Sequence, residues 1–325
     1  MTPRTEPDII VAGASAGGVK ALQQLACDLP AGLNAAVFVV MHLLPEAESL
    51  LPQILGKPGG MPAVQAVNGA PVETGTIYIA PPDRHLLFQN GNLRVVRGPK
   101  ENRHRPSIDV LFRSAAMTYG RRVIGVVLSG SDDDGTPGLM AIKRHGGITV
   151  VQDPADSEYS QMPASAMETV KPGFVLPMAE IGKVLLDLVE GRMGKVDKQA
   201  KSKPEEKTAS EAAAGAPTDV RMLGTPSAFT CPDCNGTLWE LEDGDVLQYG
   251  CRVGHAYSAG AMIAAQPDVV EKALWAAVRT LEESAAVSRR IAQKSAVLRA
   301  QLNRQAAERE EHARIIREVL LERTD

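Results

Sequence analysis

The sequence predicts an α/β protein: a doubly wound, mainly parallel sheet, followed by a small cysteine module and a long helical segment. Three observations predict it. Over residues 1–193, near-continuous Val/Ile runs alternate with amphipathic stretches. Residues 194–226 carry almost nothing that could be buried, and three of the four cysteines then fall between 231 and 251. Apolar runs without polar alternation mark strands covered on both faces, and strand–helix–strand order places them parallel in one sheet.

PDIIVAGAS reads as the first buried strand, GGVKALQQLACDL as a helix and AAVFVVMH as the second strand. GTIYIAPPDRHLLF and LRVVRG read as a hairpin joined at Asn90-Gly91, a dipeptide suited to a tight turn. SIDVLFRSAAMTYG is a helix with Ser107 as N-cap and Gly120 just past its end. VIGVVLSG is a third strand, GTPGLMAIKRHGG a helix and ITVVQ a fourth strand. The stretch 194–226, rich in Lys, Glu, Ala and Ser, reads as a disordered linker. It separates a catalytic domain at 1–193 from a cysteine module at 227–265 and a helical tail at 266–325. In the tail, Leu274, Val278, Leu281, Ile291, Leu298 and Leu302 recur at helical spacing, with Ser and Ala between them. A long helix or helical hairpin with a weak coiled-coil seam is expected.

The formal net charge of −4 gives no sign of a nucleic-acid surface. No apolar run approaches the roughly eighteen residues that a membrane span needs, and the N-terminus lacks the pattern of a secretory signal. An unprocessed cytoplasmic protein is expected. In such a chain a local cysteine cluster suggests metal rather than disulfides.

Gly13-Ala14-Ser15-Ala16-Gly17 matches G-x-S-x-G on a turn between the first strand and the first helix. A nucleophilic serine must project from such a turn, and the helix N-terminus beyond offers N–H groups to an oxyanion. Taken singly, the motif also fits a phosphate-binding turn or plain tight packing. His42 follows the second strand directly, and Asp134 lies in the loop Gly130-Ser131-Asp132-Asp133-Asp134-Gly135 after the third. Taken singly, His42 also fits a polar strand-end residue. In a parallel sheet all three lie at the carboxyl edge, where open α/β sheets bind their ligands. A nucleophile, a base and an orienting carboxylate thus converge. A dinucleotide site would need glycine in place of Ser15 and an acid in place of His42. The order Ser, His, Asp differs from that of the α/β-hydrolases.

The stretches IIVAGASAGGVKAL, VVMHLLP, GTIYIAPPDRHL, RPSIDVLFRSAA, GVVLSGSDDDGTPGL and QMPASAM resemble, in order, the catalytic domain of the chemotaxis protein-glutamate methylesterases, the CheB family. The resemblance implies a Rossmann-like methylesterase fold and a cytoplasmic, phosphorelay-associated hydrolase of chemotaxis signalling. It implies Ser15 as nucleophile, His42 as base and Asp134, the acid directly before the loop glycine, as its orienter. The substrate would be glutamyl methyl esters on chemoreceptor helices, with methanol released, no catalytic cofactor, and glutamine deamidation as a companion reaction. Ala16 and Ser131 stand where well-studied members have Thr and Met. The best-known members also carry an N-terminal receiver domain, whereas this chain starts at the esterase strand, so switching by a receiver is expected to be absent.

Polar residues near the triad are candidates for substrate contact: His85, and the run Arg103-His104-Arg105, which solvated loop charge would explain equally well. Met162 and Pro163 are candidates for the rim, or for simple helix packing.

Cys231-Pro-Asp-Cys234 and Cys251-Arg-Val-Gly-His255 supply three thiolates and one imidazole, a closed tetrahedral set for structural zinc. Unligated cysteines are the plain alternative. A module of this size buries too little apolar surface to hold itself without such a staple. Two further readings of the whole chain stand beside the esterase: a non-catalytic adaptor whose tail is the working part, and a small-molecule esterase. The tail itself is expected to dock on a partner rather than to close over the active site.

Overall fold

The computed structural model describes residues 7–43, 45, 49–57, 59–192, 224–243, 246–295 and 297–322. The linker expected at 194–226 therefore lies outside the described residues as far as 223. These residues fall into two compact units, Met1–Met262 and Ile263–Asp325.

The first unit contains β1 (Ile9–Ala14), α1 (Gly18–Asp28), β2 (Ala36–Met41), α2 (Leu51–Leu55), β3 (Ala63–Gln65) and β4 (Ile77–Ile79). The hairpin β5 (His85–Gln89) and β6 (Asn92–Val96) follows, then α3 (Ile108–Tyr119), β7 (Val123–Val127), α4 (Thr136–Arg144) and β8 (Ile148–Gln152). The series ends with α5 (Gln161–Val170), β9 (Phe174–Leu176) and α6 (Met178–Val189). Seven strands form one sheet in the order β3-β4-β2-β1-β7-β8-β9, and every pairing in it is parallel.

The alternation of side chains along a strand divides the core in two. Ile10, Ala12 and Ala14 of β1 face α1 and α6 with Leu22, Leu25, Ile181 and Leu185. Ile9 and Val11 face the other layer, with Ile108, Leu111 and Phe112 of α3 and Leu139 of α4. Because both faces are apolar, the strands read as continuous Val/Ile runs. Each fully buried side chain of this size contributes about 1.5–3 kcal/mol. The chain works outward from β1 through β2 and β4, then returns to β7 on β1's other side. The order reverses between β1 and β7, and that switch point opens a crevice at the carboxyl ends.

One expectation is corrected. GTIYIAPPDRHLLF is not one hairpin arm, because Ile77–Ile79 joins the parallel sheet beside β2 and only His85–Gln89 pairs with Asn92–Val96. The turn does fall at Asn90-Gly91, both with positive φ. The short strands β3 and β9 carry too little pattern to be read from sequence.

The cysteine module is a four-stranded antiparallel ribbon: β10 (Thr225–Thr230), β11 (Thr237–Asp243), β12 (Val246–Cys251) and β13 (Ala256–Ser258). It starts two residues ahead of the expected 227 boundary. The helix α7 (Ala259–Lys294) follows, and then α8 (Arg299–Glu322). In the second unit these two helices form a hairpin. The pairs Arg317–Glu282 and Arg289–Glu310 run in opposite chain directions, and Val278, Ala313 and Leu320 form the seam. Leu274 and Leu281 pack against that seam, whereas Ile291 and Leu298 are exposed and lie off it.

Candidate active site

The three residues drawn from the strand ends meet at the switch point. Ser15 follows β1, His42 follows β2, and Asp134 lies in the loop between β7 and α4. His42 Nδ1 is 3.1 Å from Ser15 Oγ, and His42 Nε2 is 2.9 Å from Asp134 Oδ2. An ionised carboxylate can only accept, so Nε2 carries the proton and Nδ1 is left as an acceptor toward the serine.

Small residues shape the serine turn. Gly17 adopts φ 72°, and a Cβ there would sit 2.7 Å from Ser129 Oγ. That hydroxyl donates to Ala16 O and accepts from Tyr159 N–H, tying the Ser15 turn to the loop after β7. Gly130 passes so close that a Cβ would lie 2.9 Å from Ser15's own Cβ. Ser15 N–H donates to Ser129 O, and Gly130 N–H donates to Tyr159 O.

Asp134 is buried and collects donors on both oxygens. Oδ1 accepts from Ser107 Oγ at 2.9 Å, Asn102 Nδ2 at 3.0 Å and Asp109 N–H at 3.3 Å, while Oδ2 accepts from Ile108 N–H at 2.7 Å. Two of these are the first amides of α3, where the helix dipole favours an anion. Burial alone would raise the Asp134 pKa, but its hydrogen bond and charge interaction with His42 outweigh that and hold it well below the usual carboxylate range. Burial lowers the His42 pKa, and the neighbouring His104 lowers it further, against the opposing pull of Asp134. Asp109, behind Asp134, is pushed well up by burial and by the Asp134 charge.

Four residues now join the site that sequence patterns did not single out for these roles. Ser107 makes no side-chain cap on α3, because its hydroxyl goes to Asp134 instead. Asn102 bridges Asp134 and Asp109. His104 stacks on His42, centroids 3.5 Å apart and rings 8° from parallel. Its Nε2 lies 3.5 Å from Asp132 Oδ2, within ion-pair distance. Ser129 is the buttress described above. Their one shared sequence signal is proximity: three sit within Asn102–Ser107, beside residues already suspected.

Of the substrate-contact candidates, His85 and Arg105 are corrected. His85 is buried in the hairpin, with Nε2 donating to Pro99 O at 2.7 Å and Nδ1 accepting from Ser107 N–H at 3.2 Å, so both ring nitrogens are spent inside the fold. Arg105 donates from Nε to Asp83 Oδ1 at 2.8 Å and from Nη1 to Gly98 O at 2.7 Å. Both residues fix the 99–107 loop. Met162 is also buried; its sulfur lies under Gly130, so it forms floor rather than rim. Arg103 stays half-exposed near Asp132, which it helps keep ionised.

A cavity of about 380 Å³ sits at the amino-terminal edge of the sheet beside Asp8, Tyr119 and Arg122. It lies far from this chemistry. Ser15 and His42 are half-buried at the opposite, carboxyl-end edge.

In the ribbon, Cys231, Cys234, Cys251 and His255 bring one ligand atom each within 4.8 Å of one another. A tetrahedron with zinc–sulfur bonds of about 2.3 Å and zinc–nitrogen bonds of about 2.0–2.1 Å has sulfur–sulfur edges near 3.8 Å and sulfur–nitrogen edges near 3.6 Å. Cys234 and Cys251 sulfurs are 3.7 Å apart, and His255 Nδ1 is 3.6 Å and 3.5 Å from the sulfurs of Cys231 and Cys251. The donor set therefore fits zinc in type and in size. Tyr257 hydroxyl, bonded to Asp233 at 2.5 Å, approaches the Cys231 sulfur as an outer partner.

Residues 10–185 match the family model described as CheB methylesterase. The chain belongs to the CheB methylesterase family. A putative protein-glutamate methylesterase/protein-glutamine glutaminase of Leptospira interrogans is 34% identical over 187 residues, covering 57% of this chain and 97% of the relative. Enzymes named protein-glutamate methylesterase/protein-glutamine glutaminase 2 from Methanosarcina acetivorans and Anaeromyxobacter dehalogenans are 35% and 38% identical, covering 56% of this chain in both cases. The match spans only 53% of each of those two. The crystal structure of the Thermotoga maritima CheB methylesterase catalytic domain superposes with a TM-score of 0.54 at 33% identity, covering 56% of this chain and 99% of that one. The CheB match thus takes in the parallel sheet and stops short of the ribbon and the helical hairpin. Among the described residues no helix is long and apolar enough to cross a membrane.

Proposed function

We propose that this chain hydrolyses γ-methyl esters of glutamyl side chains on a chemoreceptor-type protein, with Ser15 as nucleophile, His42 as general base and Asp134 as its orienting acid. One observation carries the reading: the hydrogen-bonded line Ser15 Oγ–His42 Nδ1, His42 Nε2–Asp134 Oδ2 at the switch point of the sheet. The names of the relatives supply the substrate class.

The chemistry is acyl transfer. Ser15 Oγ attacks the ester carbonyl while His42 Nδ1 takes its proton, and Asp134 stabilises the imidazolium that forms. His42 returns that proton to the departing methoxide, which leaves as methanol. Water then adds to the acyl-enzyme by the same base, and the products are a free glutamate and regenerated Ser15. With a glutamine amide the same steps release ammonia. The Ser15 and Gly130 amides are already committed, so the amides of Ala16 and Gly17 at the start of α1 are the donors assigned to the oxyanion. Arg103 is the remaining candidate for substrate contact.

The ribbon's four ligands are assigned one structural zinc, which when bound would tie β10, β12 and the 251–255 turn together; catalysis itself takes no cofactor. The test is methanol release from methylated receptor. Wild type should release it and Ser15→Ala should not, and a fluorophosphonate probe should label wild type alone. Unaltered hydrolysis by Ser15→Ala would overturn the mechanism.

A further inference from the structure

The ribbon packs against the residues that hold the triad's acid. Asn102 is the joint. It is 4% exposed and sits at φ 48°, a conformation that asparagine tolerates better than most residues. Its Nδ2 donates to Asp109 Oδ2 at 2.7 Å and to Asp134 Oδ1 at 3.0 Å. Its Oδ1 accepts from Ser258 N–H at 2.8 Å, and its own N–H donates to Ala256 O at 2.8 Å. Residues 101–102 thus bond to β13 as a short parallel strand would. A second link lies beside the first. Ser258 Oγ donates to Asp133 Oδ2 at 2.6 Å and accepts from Ala261 N–H at 2.9 Å, capping the start of α7. Every acid of the loop is therefore held by a different group: Asp132 faces His104, Asp133 takes Ser258, and Asp134 takes Asn102.

We propose that the ribbon is a working part of the active site, in which Ser258 and Asn102 are positioning residues that orient Asp134. This rests on the esterase reading above. The physical case lies in the two faces of the Asn102 amide. Two carboxyls on one side require the NH₂ there, and a backbone N–H on the other requires the carbonyl there. The Ser258 backbone N–H leaves only one amide orientation that satisfies all three partners. The reverse orientation would set the buried carbonyl against two carboxyls, which costs more than the bond itself contributes. Asp133 is the covalent neighbour of Asp134, so the hydroxyl of Ser258 restrains the acid loop from its outer side. Restraint of this kind matters because a triad loses rate when its members drift by a fraction of an ångström.

The consequences differ from those of a merely structural contact. Asn102 stabilises the Asp134 anion and so lessens its pull on the His42 proton. Losing that donor should make Asp134 more basic and raise the pKa of His42. The other groups facing the pair stay unchanged: Asp132 and His104 beside His42, Asp109 behind Asp134, and Arg113 and Glu101 beyond Asp109.

The experiment uses the full chain and a soluble γ-methyl-glutamyl peptide, so that receptor docking plays no part. Ser258→Ala should lower kcat about fivefold with KM nearly unchanged, the loss of one hydrogen bond's restraint. Ser258→Thr, which keeps the hydroxyl, should restore it. Asp133→Ala, which removes the acceptor and leaves the ribbon's own bonds intact, should reproduce the fall from the other side of the contact. Asn102→Ala should cost more than tenfold and shift the acid limb of kcat/KM to higher pH. Combined with Ser258→Ala it should cost less than the product of the two. Wild-type kcat in a folded Ser258→Ala or Asp133→Ala protein, or an unmoved acid limb in Asn102→Ala, would overturn the proposal. Labelling of Ser15 by a fluorophosphonate separates the two readings. If Ser258→Ala slows labelling while no variant or wild type cleaves the methyl ester, the clamp stands and the substrate assignment falls.

Discussion

The strand-end edge of the sheet and the cysteine ribbon hold their polar groups in place by different means. At the edge, Asp134 is fixed by side-chain and backbone donors from His42, Asn102, Ser107 and the start of α3, all anchored in elements backed by two apolar layers. In the ribbon, Leu238, Tyr249, Tyr257, Cys231 and Cys251 form a buried cluster with Ala261 and Met262 of α7, so two of its members are cysteines. A large core can preorganise a site with hydrogen bonds alone, whereas a small one needs its ligands to act as core. The contrast implies that the edge should fail through its chemistry and the ribbon through its fold.

The largest effect expected is chemical. Ser15→Ala or His42→Ala should lower kcat by about four to six orders of magnitude while leaving thermal unfolding near wild type. Asp134→Asn should cost about 10⁴ at most. Steady-state kinetics beside a melting curve would check both, and a small loss of rate in Ser15→Ala would break the contrast.

For the ribbon the order of effects reverses. Purified protein should contain about one zinc per chain, and Cys231→Ser should lose it together with the ribbon's ordered signals in an NMR spectrum, since structural zinc supplies the folding free energy of such modules. A metal-free ribbon that stayed folded would remove the distinction.

Acid should act on the edge in two stages. Burial holds the pKa of His42 and of His85 below the ordinary 6.5. Below 6.5 the unfolded chain therefore binds more protons than the folded one, and stability declines as pH falls through the lowered values. Asp134, held below 3.8, adds stability that is lost only at still lower pH. The acid limb of kcat/KM should accordingly lie below 6.5, because His42 as the proposed general base must be neutral to take a proton. Urea unfolding across pH would sharpen this, and a limb above 6.5 would contradict it.

The smallest effects separate neighbours in one loop. Arg105→Ala should lower stability by about 1–3 kcal/mol through its lost bonds to Asp83 and Gly98, with KM for methylated receptor unchanged. Arg103→Ala should raise KM severalfold with little change in melting. The opposite pattern would return Arg105 to the substrate and assign Arg103 to the fold.

Ser15 and His42 could be placed on one edge from the sequence because each directly follows a run of apolar residues, and Asp134 because its loop follows a third, and in a parallel sheet the end of a run fixes an edge. Cys231, Cys234, Cys251 and His255 were readable because tight knuckles need fixed spacings. His85 and Arg105 were misread for a complementary reason. A charged or polar residue in a loop looks the same whether it faces solvent or finds a partner, and Asp83 lies twenty-two residues from Arg105. The strands β3 and β9, three residues each, were too short to show a period.

Hydrophobic periodicity by itself determined the layered sheet, its parallel sense and the edge on which the chemistry lies, since those follow from which faces must leave water. Tertiary structure alone decided what supports that chemistry. Asn102 and Ser258 are 156 residues apart and meet only because the ribbon folds against the loop after β6. No local pattern encodes such a bond, because an amide and a backbone N–H are present in every loop, and only the packing of two separate elements makes one the partner of the other.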